Sequence, residues 1–236
     1  MNVFRYSKIF LLKSKYYFFV SSSKFEKTYF EGDESHFSKI WSYDLQARLN
    51  FWRALKYRKF IKQYSTHHKT LLDIGCAYGH FLSKLQKYFE VYGMDVSSYA
   101  IKIASNRVHC ECRRGDLEID IPFNRKFDII TAISVLEHLN QPENAVKNIH
   151  NALDDEGLFC FEIPTISNKR SEFVYNLFFS KDETHIFIRS VDEINELVQS
   201  CGFKKLAIFC SFFPIFTKQK NWVDNFSFIF GVFQKI

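Results

Sequence analysis

The sequence predicts an α/β fold, a doubly wound and mostly parallel sheet that finishes in an antiparallel strand pair. Three observations carry that prediction. From residue 70 onward, short apolar runs alternate with segments of helical periodicity. The first run, Thr70–Ile74, breaks into Gly75-Cys76-Ala77-Tyr78-Gly79, a small-residue turn where such sheets bind ligands. The C-terminal tail reads as two strands rather than as a further strand and helix.

Taken in order, Asp44–Tyr64 repeats Leu45, Leu49, Trp52, Leu55, Phe60 and Ile61 at helical spacing. Thr70–Ile74 is a short buried strand. Gly79–Phe89 predicts a helix presenting Phe81, Leu82, Leu85 and Phe89 on one face. Val91–Asp95 is a second strand, and Tyr99–Asn106 a helix that Ser97 or Ser98 can cap. Phe127–Ile133 is a strand, and Pro142–Leu153 a helix with proline in its first turn. Leu158–Ile163 is again a strand. Ser190 and Glu193 form a capping box that opens a helix ending before Gly202. Lys204–Phe209 and Phe226–Phe233 are the closing strands, the latter repeating Phe226, Phe228, Phe230 and Val232 at every second position.

With 236 residues, 47% of them apolar, the chain is long and apolar enough for a real core, which excludes wholesale disorder. The formal charge of +6 would suggest nucleic acid, but its location decides otherwise. Residues 1–24 carry Arg5, Lys8, Lys13, Lys15 and Lys24 with no acid, so the remainder is close to neutral and nucleic acid is an improbable partner. Lys13 and Lys15 interrupt the apolar runs of this arm, so neither a signal peptide nor a spanning helix is expected. The six cysteines show no framework spacing. Cys110-x-Cys112 lacks the spacing of a zinc site and puts two thiols on one strand face, so no metal is expected and a reducing, cytoplasmic setting fits. The 28 phenylalanines reflect either codon bias or an apolar pocket. Three segments follow: a basic aromatic arm (1–28), a helical lid or substrate segment (29–66) and a ligand-binding domain (67–236).

The turn after the first strand is neither a dinucleotide fingerprint nor a phosphate loop, because Ala77 and His80 stand where glycines would be needed and Gly-Lys-Ser/Thr is absent. Asp73-Ile74-Gly75-Cys76-Ala77-Tyr78-Gly79 instead resembles the Asp-x-Gly-x-Gly-x-Gly turn of the class I S-adenosylmethionine-dependent methyltransferases, with Ala77 replacing the middle glycine. Asp95 closes the second strand, as the ribose-binding acid does in that family. Arg114-Gly115-Asp116-Leu117 is similar to the family's adenine segment. Phe127-Asp128-Ile129-Ile130 with Ile133-Ser134-Val135-Leu136-Glu137-His138-Leu139 resembles the fourth strand and loop of its small-molecule branch. Gly157–Pro164 matches the fifth strand. The resemblance covers roughly residues 29–210 and implies a seven-stranded, Rossmann-like sheet.

It further implies S-adenosyl-L-methionine as cofactor, held by Asp73, Gly75, Ala77, Gly79, Asp95, Val96, Asp116, Leu117 and Ile133. Asp95 would accept the ribose hydroxyls, a bidentate contact that a carboxylate makes readily. Asp116 would meet the adenine amino group. His138 and His185 are the candidate catalytic residues. His185 and Tyr29 are candidates for the acceptor side, with Tyr29-Phe30 as a lid whose aromatic faces attract a sulfonium. His67-His68 reads as solvated. The expected activity is methyl transfer to a small-molecule hydroxyl of a sugar, quinone precursor or lipid-linked metabolite, for which a histidine base would help. The alternatives are an RNA methyltransferase gripping its substrate with the arm and helix Arg48–Lys62, and an inactive cofactor-binding interaction protein. The basic arm also offers a peripheral contact to anionic membranes.

Overall fold

The structure, a computed structural model, describes residues 22–25, 27–31, 51–65, 67, 69–180, 182–211 and 217–236. The first twenty-one residues of the arm, the Asp44–Asn50 start of the first long helix, His68, and Phe212, Phe213 and Phe216 lie outside them.

Seven strands form one sheet: β1 Thr70–Ile74, β2 Glu90–Asp95, β3 Cys112–Arg114, β4 Phe127–Ile133, β5 Leu153–Pro164, β6 Phe203–Cys210 and β7 Phe228–Lys235. Their order is β3-β2-β1-β4-β5-β7-β6. All pairs are parallel except β5 with β7 and β7 with β6. The expected doubly wound sheet with its antiparallel tail is therefore the fold. Asp128 fastens its centre at the entry edge. One carboxylate oxygen accepts the amides of Lys69 and Thr70 and the Thr70 hydroxyl at 2.8–2.9 Å, tying the starts of β1 and β4 together.

Helices cover both faces. On one lie α2 (Phe51–Tyr64), α3 (Leu82–Leu85) and α4 (Ser98–Arg107), whose Tyr57, Phe60, Ile61, Leu82, Leu85 and Ala104 pack on Leu71, Ile129, Leu158 and Phe230. On the other lie α5 (Pro142–Ala152), α7 (Val191–Ser200) and α8 (Lys220–Asn225). Two further helices, α1 (Lys27–Glu31) and α6 (Lys169–Phe178), flank the C-terminal ends of the strands. Two caps follow the sequence prediction. Ser97 accepts the Ala100 amide at 3.1 Å, and Ser190 and Glu193 make the reciprocal box at the start of α7.

Several elements differ from expectation. The helix expected over Gly79–Phe89 shrinks to Leu82–Leu85 because Gly79 takes φ +74°, which no right-handed helix contains, and bonds from residue i to i−3 tighten both flanks. β5 starts at Leu153 rather than Leu158, with a register shift against β4 and left-handed Glu156 (φ +60°) along the way. β7 starts at Phe228; β5 and β6 pair with its two edges, and both of its faces are buried because helices cover both sides of the sheet. Of the every-second-residue set, Phe230 and Val232 line one buried face, whereas Phe226 precedes the strand and packs with the core on the other.

Candidate functional site

Chain order reverses between β1 and β4, so the loops leaving their C-terminal ends rise on either side of a crevice. The first loop is shaped by backbone that few residues adopt. Gly75 takes φ +68°, and a Cβ on it would lie 2.4 Å from Val135 Cγ2, so glycine here lets the β1 and β4 loops meet. Ala77 is held at φ +46°, a conformation that costs a non-glycine residue roughly 1–2 kcal/mol. Its amide donates to Asp95 Oδ2 at 2.8 Å, and the Ser97 amide donates to Oδ1 at 2.9 Å. Asp95 is itself buried, with its carboxylate turned toward the β1 loop and the turn into α4. Asp73 is buried and takes the Thr131 hydroxyl at 2.6 Å. Burial, reinforced by the Asp95 charge and opposed by the Thr131 hydrogen bond, raises its pKa to about 7.

Along β2 and β3, Val96 is half-buried and its carbonyl accepts Arg114 Nε at 3.1 Å. The Gly115 amide reaches the Asp95 carbonyl at 3.0 Å, so the segment carrying Asp116 is tied to the end of β2. Asp116 is half-buried, with Oδ1 accepting the Glu118 amide. Leu117 packs into the core, and its carbonyl is held by Asn148 at 2.9 Å. Ile133 is half-buried at the end of β4.

The β4 loop bends through left-handed Ser134 (φ +54°) into a single 3₁₀ turn, Leu136–His138. The Glu137 carbonyl accepts the amides of Ile186 and Phe187, both at 2.9 Å, which draws the segment after α6 over the crevice. His138 and His185 thereby come together, with ring centroids 5.0 Å apart. The Thr184 hydroxyl donates to Asp182 Oδ1 at 2.5 Å, so it meets His138 Nδ1, 2.9 Å away, as an acceptor. The Thr184 carbonyl lies 3.2 Å from the same nitrogen. Both contacts require the proton on Nδ1, which leaves Nε2 of the neutral ring with a lone pair. Burial and the neighbouring His185, opposed by Asp182, lower the His138 pKa to about 4. His185 has Tyr175 Oη 3.2 Å from Nδ1 and Asp182 Oδ2 3.6 Å from Nε2; burial lowers its pKa while Asp182 opposes the shift. Ligand atoms of Glu137, His138 and His185 also lie within 4.8 Å of one another, a spacing that would accommodate a cation.

An aromatic row links the β4 loop to the β1 loop. Phe25 meets the His138 ring edge-on at 5.5 Å and Tyr29 at 5.0 Å, Tyr29 meets Phe30 at 5.3 Å, and Phe30 lies 5.0 Å from Tyr78 in the β1 loop. Tyr29 thus belongs to an aromatic row running from the histidine pair to the small-residue turn. Tyr175, Asp182 and Thr184 join the site without having been singled out from the sequence. Asp182-x-Thr184 next to a histidine was the available signal for two of them. Glu162 was also missed, although a lone charge inside the apolar run Phe159–Pro164 marks it. It is fully buried and accepts hydroxyls from Tyr57 of α2, Ser134 of the β4 loop and Ser211 after β6.

Comparison with known proteins agrees with this architecture. A family model described as "Methyltransferase domain" matches residues 45–208. A ubiquinone biosynthesis O-methyltransferase from Coxiella burnetii is 28% identical over 168 residues, 64% of this chain and 70% of the relative. A tRNA U34 carboxymethyltransferase from Campylobacter jejuni is 24% identical over 172 residues, covering 67% of this chain but 58% of the relative. Among solved structures, an S-adenosylmethionine-dependent methyltransferase from Clostridium acetobutylicum superposes with a TM-score of 0.64 at 14% identity, over 84% of this chain and 97% of the other. An N-methyltransferase from Bradyrhizobium japonicum, solved with S-adenosyl-L-homocysteine, gives a TM-score of 0.55 at 18% identity over 77% and 86% of the two chains.

Proposed function

The chain belongs to the S-adenosylmethionine-dependent methyltransferases, and from that premise we propose that it methylates a hydroxyl oxygen of a small-molecule acceptor, with His138 as general base. The residues at the crevice suit the cofactor. Glycine at 75 lets the β1 loop turn tightly against Val135 of the β4 loop, and Asp95 places a buried carboxylate at the end of β2 beside that turn. In this reading Asp95 holds the ribose hydroxyls, Asp116 meets the adenine amino group, and Gly75, Ala77 and Gly79 line the path of the amino-acid portion. Val96, Leu117 and Ile133 supply apolar wall. When bound, S-adenosyl-L-methionine supplies an electrophilic methyl group. The chain has to align the acceptor and exclude water, which near-attack positioning makes worth on the order of 7–11 kcal/mol.

The observation that carries the proposal is the His138 tautomer. With Nδ1–H committed to Thr184, Nε2 is the atom that takes the acceptor's proton, and His185, backed by Asp182 and Tyr175, stands beside it to orient the acceptor. The lid residues Phe25, Tyr29 and Phe30 exclude water. A lipid-linked acceptor is favoured by the outer face of α6 and α8, where Phe173, Leu177, Phe178 and Trp222 are exposed beside Lys169 and Arg170. Contact of residues 1–24 with anionic lipid belongs to the same proposal. No described helix is long and apolar enough to cross a membrane.

The test uses full-length protein with labelled cofactor and a panel of catechols, sugars and prenylated phenols. His138→Ala is expected to lower kcat by about 10²–10⁴-fold while S-adenosyl-L-homocysteine affinity stays unchanged. The wild-type kcat/KM should hold toward acid until the imidazole protonates near pH 4. Full turnover in both His138→Ala and His185→Ala would refute the base, and loss of all turnover in a chelator would assign proton removal to a cation at Glu137, His138 and His185 instead.

A further inference from the structure

Three thiols meet where β2 passes behind the cofactor loop. Gly93 of β2 pairs with Asp73 of β1 on one side and Cys112 of β3 on the other. A Cβ on Gly93 would stand 2.9 Å from Cys112 Sγ and 3.0 Å from Cys76 Sγ, so the missing side chain is the space that two sulfurs share. A third sulfur, Cys110 Sγ, lies 3.7 Å from Cys112 Sγ. Cys76 is buried, whereas Cys110 and Cys112 are half-buried. All six cysteines are free thiols.

We propose that Cys110 and Cys112 form an oxidation-sensitive pair, in which a hydroperoxide converts the two thiols to a disulfide that weakens cofactor binding. The surroundings single out Cys112 as the attacking sulfur. Cys110 Sγ lies 3.7 Å from it, and the Cys76 thiol, the Ser105 hydroxyl and the Gly93 amide also face it, so its pKa falls while those of Cys110 and Cys76 rise. A low-pKa, accessible thiol with a resolving partner is the arrangement that oxidises readily. The Cys112 thiolate attacks the peroxide O–O bond, giving a sulfenic acid and releasing an alcohol or, from hydrogen peroxide, water after protonation. The Cys110 thiol then attacks the sulfenic sulfur, its proton leaving with the hydroxyl as water. Two thiols are oxidised by two electrons, and one hydroperoxide is reduced.

Closing the bond brings the sulfurs from 3.7 Å to about 2.05 Å. The strain falls on Glu111 between them, whose carbonyl holds the Gly93 amide at 3.0 Å. Two residues past Cys112, Arg114 Nε grips the Val96 carbonyl, and the next amide, of Gly115, grips that of Asp95. The disulfide therefore pulls on the strand that places both Asp95 and Asp116. This coupling rests on the cofactor site assigned above, whereas the disulfide itself does not.

The experiment treats full-length protein with hydrogen peroxide, blocks remaining thiols with iodoacetamide and maps tryptic peptides. Cleavage after Arg107 and Arg113 releases both cysteines in one peptide, residues 108–113, while Cys76 falls in another. The expected product is that peptide, unalkylated and two hydrogens lighter. Calorimetry should show S-adenosyl-L-homocysteine binding weakened at least about tenfold, within the usual range of coupling between sites, and recovered with dithiothreitol. Cys110→Ser should bind as the reduced wild type does and keep its affinity in peroxide. An alkylated 108–113 peptide, or a link between Cys76 and Cys112, would overturn the pair. A 110–112 disulfide with unchanged affinity would overturn the coupling, and a reduced protein that binds no S-adenosyl-L-homocysteine would overturn the cofactor-site assignment while leaving the disulfide result standing.

Discussion

Asp73 and Gly75 sit two positions apart at the end of β1 and do opposite kinds of work. Gly75 is there for its backbone and for the space it leaves, so Gly75→Ala combines left-handed strain with a clash against Val135. The expected cost is about 2–4 kcal/mol, read as a lowered urea midpoint; a loss below about 0.5 kcal/mol would show that the β4 loop yields freely. Asp73 is there for its carboxyl, which burial holds protonated to about pH 7 against an ordinary 3.8. The folded state therefore binds a proton that the unfolded chain has released, and stability falls as pH rises from about 4 to about 7. Asp73→Asn should remove that slope, worth on the order of 1–4 kcal/mol, in denaturation curves taken across this range. Parallel curves for the two proteins would contradict the buried, protonated carboxyl.

At the scale of elements, α2 is the brace of the site. Tyr57 stacks on Phe230 at 4.5 Å and Phe60 on Phe209 at 3.9 Å, contacts worth about 0.5–1.5 kcal/mol each beyond the area they bury. The Tyr57 hydroxyl also donates to Glu162, which in turn holds Ser134 and Ser211. Tyr57→Phe keeps the stack and deletes the donor. It should cost about 1–3 kcal/mol in denaturant unfolding; an unchanged midpoint would show that Glu162 does not depend on α2. The strands β1 and β4 were legible because a doubly covered strand is one continuous apolar run. The helix α6 was not, because its pattern is inverted: Ser171 and Tyr175 face inward while Phe173, Leu177 and Phe178 face out. The motif residues could be read one by one, since Gly75, Asp95 and Asp116 act near their own strand ends. The His138–Thr184–Asp182–His185–Tyr175 network could not, because residues up to 47 positions apart are joined only when the Glu137 carbonyl captures the amides of Ile186 and Phe187.

For the whole molecule, the sheet order and the charge distribution point to the same division of labour. The switch point between β1 and β4 creates one crevice, the small-residue turn, Asp95 and Asp116 lie on its β1–β3 side, and the histidine pair stands on its β4 side beside the ring of Phe25. The excess charge sits instead in residues 1–24, leaving the rest of the chain near neutral. The account stands or falls on that crevice binding the cofactor through Asp95. The decisive measurement is calorimetric titration of S-adenosyl-L-homocysteine into the reduced full-length protein and into Asp95→Asn, with thermal unfolding confirming that both are folded. The wild type should bind one equivalent, and the variant should bind at least about tenfold more weakly, as the loss of charge-assisted hydrogen bonds requires. No binding by the folded wild type, or equal affinity in the two proteins, would contradict it.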